Sequence, residues 1–351
     1  MLGPTEFRDL VSGRRRGPAA AALRGLLRVA EAPYTLAVAM RNRRYDRHRA
    51  AVHRVGVPVI SVGNLTLGGT GKTPLVKWLA RRLQDFGASV ALVSRGYGAA
   101  AGEPNDEARE LAQALPEVPH IQNRDRVAAA RLAIEKFDPH VLLLDDGFQH
   151  RRLARDLDIV LLDALEPFGF DHVFPRGTLR EPLAGLSRAR VVCLSRADAV
   201  AAAEREAIRR RVAELAPNAV WCELAHVACG LINSQGATQP LECLAGKRVV
   251  AFCGIGNPAG FRHTLGTTGC EIADWREFPD HHTFAPTELE TLSDMARARG
   301  AQMVVCTQKD LVKAPREKLG EVPLWAVTIE MRFLSGQDAL EQILERFARR
   351  R

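Results

Sequence analysis

The chain has 351 residues with 46% apolar side chains, enough for two packed domains and against a disordered or fibrous protein. No uncharged stretch approaches the ~18–20 apolar residues that span a bilayer, and seven cysteines, odd in number and without a C-x-x-C pair, argue against a disulfide framework or a zinc site. The formal charge of +8 is not spread evenly: residues 1–56 hold twelve Arg against Glu6, Asp9, Glu31 and Asp46, while the remaining residues carry 37 basic and 37 acidic groups.

That basic segment comes first along the chain. Residues 18–40 are mostly Ala, Leu and Val, with Arg24, Arg28 and Glu31 interspersed and Arg41, Arg43, Arg44, Arg47 and Arg49 following. An apolar face flanked by arginines suits a helix lying on an anionic membrane surface, each basic residue adding ~1 kcal/mol near the headgroups. A basic helix packed on the rest of the protein is the other reading. A signal peptide fits poorly, because charges interrupt the apolar run and no cleavage site follows. Nucleic-acid binding is disfavoured by the lack of interleaved aromatics.

Residues 57–62 then form a strand-like apolar run that feeds Gly63-Asn-Leu-Thr-Leu-Gly-Gly-Thr-Gly-Lys-Thr-Pro74 and an amphipathic helix. Gly68, Gly69, Thr70 and Gly71 let backbone N–H groups close around a polyphosphate. Lys72 can reach its β- and γ-phosphates, Thr73 can sit on Mg²⁺, and the helix directs its positive end at the same anion. The strict G-x-x-x-x-G-K-T pattern has Gly where this chain has Thr66. Strand, glycine loop, Lys-Thr and helix in this order predict a nucleoside triphosphate site.

Strand-like runs at 89–94, 141–144, 159–162 and 191–194 alternate with helical patterns at 75–86, 106–114, 124–136 and 201–215. This predicts an α/β fold, a P-loop NTPase-type mostly parallel sheet with helices on both faces, over residues 57–219. Residues 220–245 read as a hairpin-like linker. A second alternation, strands at 249–253, 270–277, 303–307 and 324–329 with helices at 258–265, 286–299 and 337–349, predicts a smaller α/β domain over 246–351.

Chemistry is expected at strand ends, where open α/β sheets place ligands. Leu142-Leu-Leu-Asp145-Asp146 is an apolar strand ending in two carboxylates, the form expected of a metal-holding Asp opposite a phosphate loop. Either carboxylate suits Mg²⁺, and the other is free for substrate or a second ion. Ser195-Arg-Ala-Asp198 and Thr307-Gln-Lys309-Asp310 both resemble base-reading loops, in which the Lys stem covers the base and the Asp accepts from it; the second is the better match. Either could equally be a helix N-cap.

These blocks occur in order with Ser94-Arg-Gly-Tyr-Gly98, Leu144-Asp-Asp-Gly-Phe-Gln-His-Arg-Arg152, Leu179-Arg-Glu-Pro182 and Phe278-Pro-Asp-His-His282. Together they resemble the tetraacyldisaccharide 4′-kinases, the lipid A 4′-kinases, over roughly residues 20–330. The resemblance implies transfer of the γ-phosphate of ATP, with Mg²⁺, to the 4′-hydroxyl of a lipid disaccharide 1-phosphate. It implies an enzyme on the cytoplasmic face of the bacterial inner membrane, with its site in a cleft between two domains, and gives the basic segment a reason; a monomer is the expected state. Asp106 is then the general base, tuned by His281 from the second domain, although Glu103 belongs to a competing alignment of the short loop. Asn64, Tyr97, Arg126, Arg180 and Glu181 are expected on the substrate, Lys309 and Asp310 on the nucleotide. A membrane-recruited regulatory GTPase is the rival reading, weakened by Leu67 where dimer-activated relatives carry Lys.

Overall fold

The computed structural model describes residues 3–96, 106–280 and 282–349. Two compact units result: Met1–Ala225 together with Phe333–Arg351, and His226–Arg332.

The first unit opens with helices α1 (Pro4–Val11) and α2 (Pro18–Asp46). It continues β1 (Val59–Asn64), α3 (Lys72–Asp85), β2 (Val90–Ser94), α4 (Asp106–Ala114), β3 (His120–Gln122), α5 (Arg126–Phe137) and β4 (Val141–Asp145). Then come β5 (Leu157–Asp163), β6 (Val191–Ser195), α6 (Ala202–Leu215) and the start of β7 (Val220–Ile232). These strands pair in the order β7-β6-β5-β1-β4-β2-β3, and every pairing among them is parallel. Their side chains are apolar on both faces, as a sheet covered on each side requires. Val59, Leu142 and Leu144 pack with Ala129, Ala130 and Ala133 of α5. The alternate residues Ile60, Val62 and Leu143 point the other way, and α3 meets β1, β2 and β4 there.

The second unit contains β8 (Thr238–Gln239), β9 (Arg248–Cys253), α7 (Pro258–Gly266), β10 (Glu271–Glu277), α8 (Pro286–Ala298) and β11 (Met303–Thr307). It ends with α9 (Gln308–Lys313), β12 (Lys318–Leu319) and most of β13 (Val322–Ser335). Strands β10, β9, β11 and β13 are neighbours in that order and parallel. The core lies around Val250, Phe252, Leu292, Val304 and Leu324 on one side and Val249, Ala251, Leu265 and Val305 on the other.

Two boundaries differ from those read in the sequence. The stretch 220–245 is not a separate linker: β7 runs through the change of unit, and only its end makes the expected hairpin, with Leu231 and Ile232 opposite Gln239 and Thr238 of β8. Helix α10 (Gln337–Ala348) belongs to the first unit, not the second. Its anchors are the Trp78–Phe333 ring pair, 4.6 Å between centroids, and an Arg82–Glu341 ion pair at 2.8 Å. Both join elements far apart in sequence, so no local pattern announces them.

The basic N-terminal segment is likewise part of the first unit. Glu31 on α2 accepts from the Val173 amide at 2.8 Å and lies 3.0 Å from His172 Nδ1. Arg151 reaches back to Asp46 at 2.7 Å. The opposite side of α2 is bare: Leu26, Val29, Leu36 and Met40, spaced three or four apart around Pro33, are 56–74% exposed. Among the described residues no helix is long and apolar enough to cross a membrane.

Candidate active site

The glycine loop leaves β1 at Asn64 and is shaped by what surrounds it. A Cβ at Gly63 would come within 2.5 Å of Phe148 Cβ, so only glycine lets β1 pass there. Gly68 and Gly71 have φ of 106° and 84°, the left-handed region that favours glycine. Gly71 is the N-cap of α3, which begins at Lys72 and carries the buried Thr73 in its first turn. The outer lip is pinned to the Leu179 block: Leu67 N donates to Thr178 O at 2.7 Å and Arg180 N to Leu65 O at 2.7 Å.

Asp145, opposite Val62 of β1 in the parallel register, ends β4, and Asp146 follows it. Asp146 has φ of 51°, an uncommon backbone for a residue other than glycine, which aims its carboxylate at the loop. Lys72 Nζ lies 3.4 Å from Asp146 Oδ1, and Arg180 donates to both carboxylate oxygens at 2.9 Å. Burial opposes ionisation of Asp146, but Lys72 and Arg180 outweigh it and hold the carboxyl well below its usual range. Arg126, at the start of α5 behind the Asp125 N-cap, is buried. Burial lowers its pKa while Asp146 and Asp145 act to raise it, so it is electrostatically coupled to the carboxylate pair.

His150, in the same sequence block as the carboxylates, is uncharged near pH 7. Burial first, then Arg126, Arg152 and Arg155, pull its pKa down to about 4.

Several sequence-predicted site residues sit elsewhere than expected. Glu181 is fully buried and cannot meet substrate in this conformation. Its carboxylate accepts from Arg188 at 2.8 and 2.9 Å, from Gln149 at 3.1 Å and from Asn42 of α2 at 2.8 Å. Asn64 is also buried; its amide donates to Thr66 O at 2.9 Å and braces the loop. Asp310, expected on the nucleotide, has both carboxylate oxygens engaged within the protein. It is fully buried, with one oxygen on the Gly254 amide at 3.0 Å and the other on the Thr307 hydroxyl at 2.6 Å. Thr307 in turn caps α9, so the N-cap alternative describes this segment, and the adjacent Lys309 is only half-buried. The side chain of Asp106, which opens α4, lies outside the described residues, as do Tyr97, Glu103 and His281. Residues the sequence did not single out are Arg188 and Asn42, which with Gln149 serve Glu181. Ser195 and Arg196, read in the sequence as part of a base-reading loop, reach the carbonyls of Thr70 and Gly69 with their side chains.

The residues present suit a Mg²⁺–nucleotide. Among the described residues Thr70 Oγ1 is buried without a hydrogen-bond partner in the protein, at the centre of the glycine loop. Such an atom costs free energy unless a ligand meets it. No group of three or more His, Cys, Asp or Glu among the described residues is arranged to hold a metal. Mg²⁺ typically takes one or two carboxylates and completes its shell with phosphate and water, and Asp145, Asp146 and Thr73 offer oxygen donors of that kind.

Residues 23–349 match the sequence profile of the family described as tetraacyldisaccharide-1-P 4′-kinase. A tetraacyldisaccharide 4′-kinase from Anaeromyxobacter sp. (strain K) is 43% identical over 352 residues, covering 94% of this chain and 92% of the relative. The enzyme of that name from Geobacter sulfurreducens is 38% identical, covering 96% and 98%. The crystal structure of the "apo" form of LpxK from Aquifex aeolicus in complex with ATP superposes with a TM-score of 0.70 at 31% identity, covering 93% of this chain and 99% of that one. With a phosphate loop, a carboxylate pair and this likeness over nearly its whole length, the chain belongs to the tetraacyldisaccharide-1-phosphate 4′-kinase family.

Proposed function

We propose that this protein uses its phosphate loop to move the γ-phosphate of ATP to the 4′-hydroxyl of a tetraacyldisaccharide 1-phosphate at a membrane surface. The observation that carries the assignment is the meeting of Lys72, Asp146 and Arg180 at the mouth of the glycine loop, beside Thr73. Phosphoryl transfer is mostly positioning and charge neutralisation. Lys72 and the amides of 68–71 hold the polyphosphate. Thr73 and Asp146 or Asp145 hold Mg²⁺, which when bound withdraws charge from the phosphates. Arg180, paired with the same carboxylate, would offer its guanidinium to a phosphate oxygen with Mg²⁺ bound. Asn64 and Glu181 serve by positioning the loop and the Arg180 segment. Arg126 and Tyr97 are assigned to the substrate, and Lys309 to the nucleotide.

Transfer of labelled γ-phosphate from ATP to a lipid disaccharide acceptor tests the assignment. Label recovered as free phosphate would make the protein a GTPase-like hydrolase, and no turnover would make it a binding module; either overturns the kinase.

Asp106 is assigned as the base for the sugar hydroxyl, with His281 as its partner. A positioned base contributes about 10²–10⁴-fold. Asp106→Ala and His281→Ala are each expected to lose most of that factor, and the double variant little more, because the two act as a unit. Rates of the two single variants and the double variant check this, with ATP affinity retained throughout. Additive losses, or a crippled Glu103→Ala beside an active Asp106→Ala, would give the role to another residue.

The partner assigned to α2 is the cytoplasmic face of the inner membrane, met by a monomer. Its bare apolar side, with Arg28, Arg41, Arg43 and Arg44 exposed on the same helix, supports this. Replacing Arg41, Arg43, Arg44 and Arg47 with Gln is expected to weaken binding to anionic vesicles, read by sedimentation, by roughly 10²–10³-fold, at about 1 kcal/mol per charge. The apparent KM for lipid rises and ATP affinity stays. Wild-type binding that ignores added salt would refute the electrostatic part.

A further inference from the structure

The segment Ser195-Arg196, at the end of β6, carries a buried polar cluster that phosphate transfer does not use directly. Ser195 stands opposite Asp163 of β5 in the parallel register. Arg196 donates through Nε to Asp163 Oδ1 at 2.9 Å and through Nη2 to Asp163 Oδ2. Both side chains are more than nine-tenths buried. The same Nη2 donates to Gly69 O at 2.9 Å, and the Ser195 hydroxyl lies 2.8 Å from Thr70 O and 3.2 Å from Leu162 O. Arg196 holds φ of 54°, a strained backbone for an arginine that persists only where its surroundings over-determine it. Arg205 fixes the following turn, donating to Ala197 O at 3.2 Å and Val200 O at 3.0 Å.

The consequence is read from the planar trans peptide, in which the C=O of one residue and the N–H of the next point in opposite directions. Drawing the Gly69 carbonyl outward to Arg196 turns the Thr70 N–H inward. Drawing the Thr70 carbonyl outward to Ser195 does the same for the Gly71 N–H. Those amides belong to the glycine loop assigned to the phosphates. A loop rich in glycine has many competing conformations, and a ligand that must order it binds more weakly. We propose that Ser195 and the Arg196–Asp163 pair are positioning residues that clamp the outside of the phosphate loop and pre-set its anion-binding amides. The inference rests on the assignment of the nucleotide phosphates to this loop.

The test is direct titration of ATP into the full-length protein, with KM values for ATP and for lipid measured alongside. Ser195→Ala removes one buried hydrogen bond and keeps the ion pair. Arg196→Lys keeps the charge but cannot bridge Asp163 and Gly69 with one planar fork. Arg196→Ala strands Asp163 and risks misfolding, so the first two variants decide. Each is expected to weaken ATP binding and raise its KM roughly five- to tenfold, as loss of a buried hydrogen bond implies, with the KM for lipid unmoved. A general loosening of the fold would shift both constants together and lower the melting temperature, and would overturn the clamp. Wild-type ATP affinity in both variants, with affinity lost in Lys72→Ala, overturns the clamp alone. Unchanged affinity in Lys72→Ala as well overturns the phosphate-loop assignment and the clamp together.

Discussion

Replacing Lys72 by Ala, or Asp146 by Asn, is expected to cut turnover roughly 10³-fold or more and leave the protein folded. Charge placed against a transferring phosphoryl group is worth about 10²–10⁵-fold in related chemistry. Neither side chain belongs to the apolar core: Lys72 and Asp146 retain 13% and 36% of their side-chain exposure. Asn suits position 146 because it tolerates the left-handed backbone found there while losing the charge. Removing either partner also changes the other. Without Lys72, the Asp146 carboxyl has less positive charge against the burial that opposes its ionisation, Arg180 and Arg126 remaining, so its pKa rises toward the ordinary range. Single-turnover rates and melting curves check the pair. A folded variant at either position with unaltered turnover would remove the phosphate loop from the mechanism.

Glu181→Ala is expected to be the most destabilising single change around the site, by about 3–5 kcal/mol, because it leaves a buried charge without its partner. Arg188 is already penalised by burial and supported by Glu181, and its guanidinium also sits 4.4 Å above the Phe148 ring. Gln149 and Asn42 would lose an acceptor in the same step. For a chain of this size a loss of that order lowers the melting temperature by roughly 2–4 °C per kcal/mol, or about 10 °C in total. Glu181→Gln keeps most of the acceptors and falls between. Because Asn42 ties α2 to Glu181, and Tyr34 of α2 reaches Arg180 O at 3.4 Å, Ala at 181 also loosens the helix assigned to the membrane. Calorimetry on both variants measures this. A Glu181→Ala protein that melts with the wild type, and shows raised KM for lipid alone, would return Glu181 to the substrate-binding role first expected of it.

The sequence by itself determined the chemistry that depends on neighbours along the chain. Gly68 to Thr73 must lie together because a strand, a tight glycine loop and a helix N-terminus are contiguous. Asp145 and Asp146 stand at a strand end because an apolar run of strand length stops there. The alternation of apolar strands with helices likewise made a parallel α/β sheet legible before any coordinates. Tertiary structure decided what each polar residue faces once strands distant in sequence are neighbours. Arg180 meets Asp146 across 34 positions and Ser195 meets Thr70 across 125. Glu181 reads as a ligand in its motif, and its carboxylate accepts from Arg188, Gln149 and Asn42; Asp310 sits in a motif that reads as a base-binding loop, and its carboxylate accepts from the Gly254 amide. Local pattern reports a residue's backbone and the face it shows. Burial and hydrogen-bond partners come from long-range packing, and those decide whether a carboxylate is spent inside the protein or left for a substrate.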